Sequence, residues 1–169
     1  LGWLINYLNI PMSEFSSGIS TQSLLEVSGY KIGVSICYES VFSNLINKGL
    51  PEAVFLVNLS NDAWFGDSIG PHQNLQIARM RALESGRYLL RSTNNGLTAI
   101  ISDKGDVLGQ APQFVPTYLR GHVQPKTGST FYIRFGDRPL VYFTCFLLVF
   151  NLFFPSKTKP LCLRRRPYY

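Results

Sequence analysis

A cysteine, a tyrosine and a glutamate follow one another where an apolar segment of the sequence ends. The segment GVSICYES places Cys37, Tyr38 and Glu39 directly after Ile36. A cysteine at the tip of a strand can act as a nucleophile, because the turn that follows exposes the side chain and offers backbone N–H groups to a thiolate or an oxyanion. A free cysteine is also often a small buried core residue. The segment alone leaves both interpretations open.

The residues near Cys37 in sequence do not supply an activating partner. The thiolate is the attacking form of a cysteine, and a carboxylate such as Glu39 disfavours a nearby negative charge. Lys31 lies about 20 Å away along an extended strand. The two histidines, His72 and His122, are far apart in sequence and suggest neither a partner for Cys37 nor a metal cluster. Cys37 is therefore either inert or activated by groups outside this sequence.

The composition indicates an apolar chain with one basic end. Hydrophobic residues make up 46 % and charged residues 15 % of the 169 residues, and the charged share is low against about 25 % in an average soluble domain. The tail, residues 156–169, holds five of the 16 lysines and arginines and none of the acids, so it accounts for most of the net charge of +6. A charge confined to one end does not form a nucleic-acid-binding face, so we expect no nucleic-acid partner.

The pattern of apolar residues and turn signals predicts an α/β layered domain. Alternating apolar residues predict a strand over Tyr30–Ile36, and a continuous apolar run predicts a buried strand over residues 53–59. Residues 41–48 fit a short helix between them. Residues 97–101 and 107–111 fit two strands of a hairpin, whereas residues 1–29 are loop-like.

A longer helix is predicted to begin at Pro71, because proline is favoured in the first turn of a helix. Apolar and small residues then recur at intervals of three and four, which predicts one face for close packing. The residues of this face are Leu75, Ala78, Ala82, Gly86 and Leu89.

Residues 139–155 form an uncharged apolar run. Its apolar part of about 15 residues would span about 23 Å as a helix, which is short of the ~20 residues usually needed to cross a bilayer. A buried core helix is therefore the alternative to a membrane span. Two features favour the membrane: cations follow the run, and Thr144 and Asn151 give it only a thin polar stripe.

Four segments of the sequence stand out together: ICYES, LVNLSNDAWFGDSIGPHQ, ARMRALESGRYLLRSTNNGLTAIISDKG and the apolar run with its basic tail. In this order they resemble the apolipoprotein N-acyltransferase family, whose members are integral membrane enzymes with a nitrilase-like catalytic domain. The resemblance implies a partial nitrilase-like α-β-β-α sandwich, with two sheets between helical layers, over residues 1–138. It further implies one C-terminal transmembrane helix at residues 139–155 and a basic cytoplasmic tail at residues 156–169.

The resemblance also implies a Glu-Lys-Cys triad in which Cys37 is the nucleophile. Tyr38 and Glu39 match the supporting positions of the CYE motif. The residues matched to substrate binding are Asn61, Trp64 and Arg87. For Trp64 a packed loop aromatic, and for Arg87 a helix-surface cation, are the structural alternatives. The family's lysine motif, of the type K-x-x-L-V-P-F-G-E, does not occur before Cys37, so the triad glutamate and lysine are expected upstream of this sequence.

The function implied by the resemblance is transfer of an acyl chain from a phospholipid donor to the N-terminal amine of the diacylglyceryl-cysteine of an apolipoprotein, through a Cys37 thioester. No cofactor and no metal is implied. The implied location is the bacterial inner membrane, with the catalytic domain on the periplasmic side. Two alternatives stay open: a soluble nitrilase- or amidase-type hydrolase, and a truncated membrane-anchored chain that is inactive because the triad glutamate and lysine are absent.

Overall fold

The computed structural model describes residues 23–153, in which six strands form one mixed sheet in sequence order. The strands are β1 (Leu25–Val27), β2 (Tyr30–Ile36), β3 (Phe55–Asn61), β4 (Leu89–Asn94), β5 (Ala99–Ile101) and β6 (Val107–Gln110). The central strands β2, β3 and β4 are parallel, whereas β1, β5 and β6 pair with their neighbours antiparallel. The carboxyl ends of the three parallel strands therefore meet at one edge of the sheet.

Four α-helices and two 3-10 turns complete the part of the chain that is described. The helices are α1 (Ser43–Asn47), α2 (Gly70–Ser85), α3 (Phe131–Phe135) and α4 (Arg138–Phe153). The 3-10 turn Cys37–Val41 follows directly on β2, and the 3-10 turn Ala63–Phe65 follows β3 after one residue, Asp62. Helix α2 carries Pro71 in its first turn and ends at Gly86, whose φ of 60° needs the conformational freedom of glycine.

The hydrophobic core lies between α2 and one face of the sheet. Its small residues Ala78 and Ala82 are fully buried, so the helix can approach the strands closely. The core residues are Leu56, Leu75, Ala78, Ala82, Leu89, Leu97, Ala99 and Ile101. The opposite face of the sheet is more open, since Val34, Val57 and Leu90 are only half-buried there. Within residues 23–153, the expected sandwich is thus represented by one sheet with a helical layer on one face.

The α/β fold with a mixed sheet is confirmed, and the differences are two strands that were not predicted and the ends of several elements. Strand β2 has the predicted bounds, and the β5–β6 hairpin is present. Residues 25–27 form a strand that the sequence did not predict, and so do residues 89–94. Gly86 and Leu89 do not belong to the packing face of α2, because Gly86 caps the helix and Leu89 lies in β4.

Helix α4 covers most of the apolar run, and its side chains from Leu140 onward are exposed. Its two polar side chains bond within the helix: Thr144 Oγ1 donates to the Leu140 carbonyl at 2.8 Å and Asn151 Nδ2 to the Leu147 carbonyl at 2.9 Å. Among the helices described between residues 23 and 153, none is long and apolar enough to cross a membrane. The last two residues of the predicted span and the whole basic tail lie outside the described residues.

Candidate active site

Cys37 lies at the carboxyl end of β2 as the first residue of a 3-10 turn, and its side chain is exposed. Its φ is 51°, in the left-handed region that costs a residue other than glycine about 1–2 kcal/mol. Such strain persists only where the surrounding structure imposes it, and it is concentrated at functional sites. A strained strand-to-helix turn that exposes a thiol is the arrangement expected of a nucleophile.

Hydrogen bonds hold the backbone on both sides of Cys37. The Glu39 carboxylate accepts a bond from the Ile36 backbone N–H at 2.6 Å. The Cys37 carbonyl accepts bonds from Ser40 Oγ at 3.2 Å and from Asn58 Nδ2 at 3.3 Å. The Glu39 carboxylate therefore caps the turn, and bonds of a charged group to backbone are among the stronger hydrogen bonds in proteins.

The surface around Cys37 is apolar. Tyr38 is 62 % exposed and packs edge-to-face on Phe42, with ring centroids 5.7 Å apart. Ile36 and Leu59 are Cα partners on the neighbouring strands β2 and β3, and both side chains are exposed. The thiol therefore stands at an edge where several large apolar side chains face solvent.

The end of β3 and the loop that follows it bring two further predicted site residues to the same edge. Trp64 lies in the turn Ala63–Phe65 and is 88 % exposed, so the packed-aromatic alternative does not fit it. The Asn61 side-chain oxygen accepts bonds from the Ala63 backbone N–H at 3.2 Å and from Asn94 Nδ2 at 3.4 Å. Because β2 and β3 are parallel neighbours, this loop and Cys37 lie beyond adjacent strand ends, where open α/β sheets bind ligands.

A buried polar network behind this edge was missed by the sequence analysis. Arg91 Nη2 pairs with Asp62 Oδ2 at 2.8 Å, and Arg91 Nη1 donates to Asn58 Oδ1. All three side chains are buried. A sequence signal existed, since Asn58 interrupts an otherwise apolar strand and Arg91 follows two leucines, but their pairing depends on strand order.

Arg87 lies at the opposite edge of the sheet, just before β4. It is only 2 % exposed, and its guanidinium donates to the backbone carbonyls of Ala53 at 2.8 Å, Pro51 at 3.1 Å and Gly128 at 2.7 Å. Burial lowers the pKa of Arg87. This placement argues against a role in substrate binding and also against the alternative of a helix-surface cation.

No activating group reaches the thiol within residues 23–153. No hydrogen bond or ion pair there involves the Cys37 sulfur. Lys31, at the start of β2, instead pairs with Glu52 at 2.8 Å on the surface. Cys145 is exposed on α4, and Cys162 lies outside the described residues.

Comparisons with known proteins agree with the family resemblance that the sequence motifs indicated. Residues 8–131 match the carbon-nitrogen hydrolase family. The apolipoprotein N-acyltransferase of Nitrosomonas europaea is 53 % identical over 136 residues, which are 80 % of this chain and 27 % of that protein. The apolipoprotein N-acyltransferase of Methylococcus capsulatus is 48 % identical over 141 residues, which are 83 % of this chain and 28 % of that protein.

Solved structures support the same fold. The crystal structure of an amidase from Nesterenkonia sp. aligns with a TM-score of 0.54 and 17 % identity, over 78 % of this chain and 49 % of that chain.

The resemblance to apolipoprotein N-acyltransferases is confirmed, although this chain spans between a quarter and a third of the length of the curated relatives named here. With a family match that covers most of its residues, the chain belongs to the carbon-nitrogen hydrolase family.

Proposed function

We propose that this protein is an apolipoprotein N-acyltransferase in which Cys37 carries the acyl group. One observation carries the proposal: the exposed thiol is held in a left-handed backbone conformation at the carboxyl edge of the parallel strands. Of the four residues other than glycine with positive φ in the described part of the chain, Cys37 is the one that carries a thiol, and strain of this kind is concentrated at functional sites. The acyltransferase name of the two relatives supplies the reaction class.

The reaction proceeds in two steps through a covalent intermediate. In the first step, the Cys37 thiolate attacks an ester carbonyl of a phospholipid. The carbon–sulfur bond forms, the ester carbon–oxygen bond breaks, and the leaving lysophospholipid oxygen takes the proton that the general base had removed from the Cys37 thiol. In the second step, the N-terminal amine of a diacylglyceryl-cysteine lipoprotein attacks the thioester. The amide bond forms, the carbon–sulfur bond breaks, and the thiolate is regenerated while the general base accepts the proton that the amine loses.

The side chains around Cys37 suit an acyl chain. Ile36, Tyr38, Leu59 and Trp64 are large, apolar and exposed at the edge that carries the thiol. Exposed apolar residues gathered at one place are typical of ligand or membrane contact. We therefore assign Tyr38 and Trp64 to contact with the acyl donor, and Asn61 to the shape of the loop that presents Trp64.

The general base and the cation of the Glu-Lys-Cys triad are proposed to come from polypeptide outside residues 23–153. Glu39 does not take the role of the base here, because its carboxylate accepts the Ile36 N–H at 2.6 Å and so fixes the turn. Its role in the proposal is to support the conformation of the nucleophile.

Helix α4 is proposed to lie in the bacterial inner membrane, with the catalytic domain on the periplasmic side and the basic tail in the cytoplasm. Its exposed apolar surface and the internal bonds of Thr144 and Asn151 support this, because polar groups in lipid need partners within the helix. The five cations of residues 156–169 agree with a cytoplasmic flank.

The test is intact-mass analysis of the protein, in the longest form that its gene encodes, after incubation with phosphatidylethanolamine in detergent. We expect one acyl adduct that hydroxylamine removes. Cys37→Ala should abolish the adduct, whereas Cys145→Ser and Cys162→Ser should retain it. Addition of a diacylglyceryl-cysteine peptide should then move the acyl group to the peptide amine. Release of the acyl group as free fatty acid would indicate a hydrolase, and an adduct in Cys37→Ala would refute the proposed nucleophile.

A further inference from the structure

We propose that Asn58, Arg91 and Asp62 form a positioning relay that holds Cys37 in its left-handed conformation. The relay rests on the proposed function for its catalytic meaning, because a fixed thiol matters most when it must meet a bound ester. None of the three residues touches the thiol. They act through the Cys37 carbonyl, and they are therefore positioning residues.

The first contact of the relay is the Asn58 amide. Asn58 lies on β3 opposite Ser35 of β2 and is fully buried. Its Nδ2 lies 3.0 Å from Ser35 Oγ and 3.3 Å from the Cys37 carbonyl oxygen. A side chain of one strand thus bridges to the residue that follows the neighbouring strand, at the position where the backbone turns.

The second contact fixes which end of the Asn58 amide faces Cys37. Arg91 Nη1 donates to Asn58 Oδ1. An arginine has donors only, so it accepts no bond from the amide NH₂ group. With Arg91 in place, the Asn58 oxygen must face β4, and the NH₂ group must face β2 and the Cys37 carbonyl.

The third contact keeps Arg91 in place. Asp62 Oδ2 pairs with Arg91 Nη2 at 2.8 Å, and Asp62 Oδ1 accepts a bond from Ser60 Oγ at 2.6 Å. Both charges are buried, so each depends on the other for compensation. The relay therefore links residues of β4 and β3 to the conformation of the residue that follows β2.

Loss of the Asn58 donor should displace the Cys37 thiol but leave it exposed to solvent. The Cys37 carbonyl would lose one of its two side-chain donors and keep the other, Ser40 Oγ, and the backbone could relax away from positive φ. A shift of about 1 Å in a reacting group can cost about 100-fold in rate. A small alkylating reagent needs no such alignment, because the Cys37 side chain is exposed. Acylation and alkylation should therefore respond differently.

The variant that tests the Asn58 donor directly is Asn58→Asp. It keeps an oxygen for Arg91 but replaces the NH₂ donor that faces the Cys37 carbonyl. Asn58→Ser is the second variant, since it removes the amide and leaves the Arg91–Asp62 pair intact. Ser85→Ala is the matched control, because Ser85 is equally buried but donates to the Arg81 carbonyl in α2.

The experiment combines three measurements on the protein in detergent. Labelling with ¹³C-carbonyl cysteine and ¹⁵N-tyrosine reports on Cys–Tyr peptide bonds, and residues 1–169 contain one, between Cys37 and Tyr38. We expect this resonance to shift in both Asn58 variants and to stay in place in the control. The rate of acyl-adduct formation should fall about 10- to 100-fold in the Asn58 variants. Iodoacetamide alkylation of Cys37, in a Cys145→Ser and Cys162→Ser background, should change less than about threefold.

Two results would overturn the relay: an unshifted Cys37–Tyr38 resonance in both Asn58 variants, or acylation as fast as in the unsubstituted protein. Absence of an adduct in the unsubstituted protein would instead refute the proposed function. The resonance would then decide the relay alone, since it does not depend on turnover.

Discussion

The Asp62 carboxylate and the Arg91 guanidinium form an ion pair at 2.8 Å, with side chains that are 0 % and 1 % exposed. Asp62 belongs to the segment SNDAWFG and Arg91 to the segment RSTNNG. The two motifs that specify the family are therefore joined by a buried charge pair behind the edge that carries Cys37. Because a buried ion needs its counter-ion, the pair makes the two motifs dependent on each other.

Asp62→Asn should be strongly destabilising. The substitution keeps the size of the side chain but leaves the Arg91 charge uncompensated, which typically costs about 3–5 kcal/mol. Urea denaturation should show this as a lower midpoint with an unchanged slope. Glu52→Gln is the matched control, since it breaks the exposed pair with Lys31 and should leave the midpoint unchanged. Equal midpoints for Asp62→Asn and the unsubstituted protein would contradict the importance of the pair.

Gly96→Ala should also disturb the Asp62–Arg91 ion pair, because Gly96 lies against the Asp62 side chain. A Cβ atom at Gly96 would lie 2.7 Å from Asp62 Cβ and 2.8 Å from Asp62 Cγ, which is too close for any neighbour to accept without moving. We expect a loss of about 1–3 kcal/mol in the free energy of unfolding. The loss should be smaller in an Asp62→Gly background, because Cβ and Cγ of Asp62 are then both gone. Additive effects in the double-mutant cycle would contradict direct contact between the two positions.

The sequence predicted well what depends on local pattern. Alternating apolar residues located β2, and the small residues Ala78 and Ala82 identified the buried face of α2. The cysteine at the end of β2 was found for the same reason, since a reactive side chain directly after an apolar strand can be recognised from the sequence alone. Strand β4 was missed, because Arg91, Ser92 and Thr93 interrupt its apolar pattern.

The sequence could not predict which polar residues meet. Arg87 and Arg91 are four residues apart, yet Arg87 lies before β4 and binds backbone carbonyls at one edge, whereas Arg91 lies within β4 and reaches the other edge. Only the order and direction of the strands separate the two roles. The positive φ of Cys37 is also invisible in sequence, because nothing in the residue type requires it.

The pH dependence of stability should carry a contribution from Glu84. Burial raises the pKa of Glu84 above its ordinary value, although Arg81 pairs with it at 3.0 Å and opposes the shift. Between the ordinary and the raised pKa, the folded state keeps a proton that the unfolded state has lost, so this contribution to stability falls as pH rises through that window. Glu84→Gln should flatten the slope there in denaturation curves measured against pH.

Glu52 provides the contrast with Glu84. A hydrogen bond from Lys31 lowers the pKa of Glu52, so its contribution is present above the ordinary pKa and is lost as pH falls. Glu52→Gln should therefore change the pH dependence of the free energy of unfolding in the opposite direction to Glu84→Gln. The change should be slight, because the Lys31–Glu52 pair is exposed. If the stability of Glu84→Gln depends on pH in the same way as that of the unsubstituted protein, burial does not raise the pKa of Glu84.

Helix α4 should bind lipid through its exposed apolar surface. Leu148→Asp places a charge in the middle of the helix, which costs about 2.5–3.5 kcal/mol at a bilayer centre, or about 100-fold in partition. Co-sedimentation with phosphatidylethanolamine–phosphatidylglycerol vesicles should fall accordingly. Thr144→Val is the control and should bind as before, because the Thr144 hydroxyl bonds only to the Leu140 carbonyl within the helix. Unchanged binding of Leu148→Asp would contradict membrane contact.

The left-handed conformation of Cys37 predicts that a substitution to glycine relieves strain and stabilises the fold, although it removes the proposed nucleophile. Glycine adopts positive φ readily, so Cys37→Gly should be more stable than Cys37→Ala by about 1 kcal/mol in urea denaturation. Both variants should fail to form the acyl adduct. Ser92 is the control, since it lies in β4 with extended backbone, and there glycine should be less stable than alanine by about 0.5–1 kcal/mol. If glycine is the less stable residue at both positions, the left-handed conformation of Cys37 is not maintained in solution, and the argument from strain to catalysis fails with it.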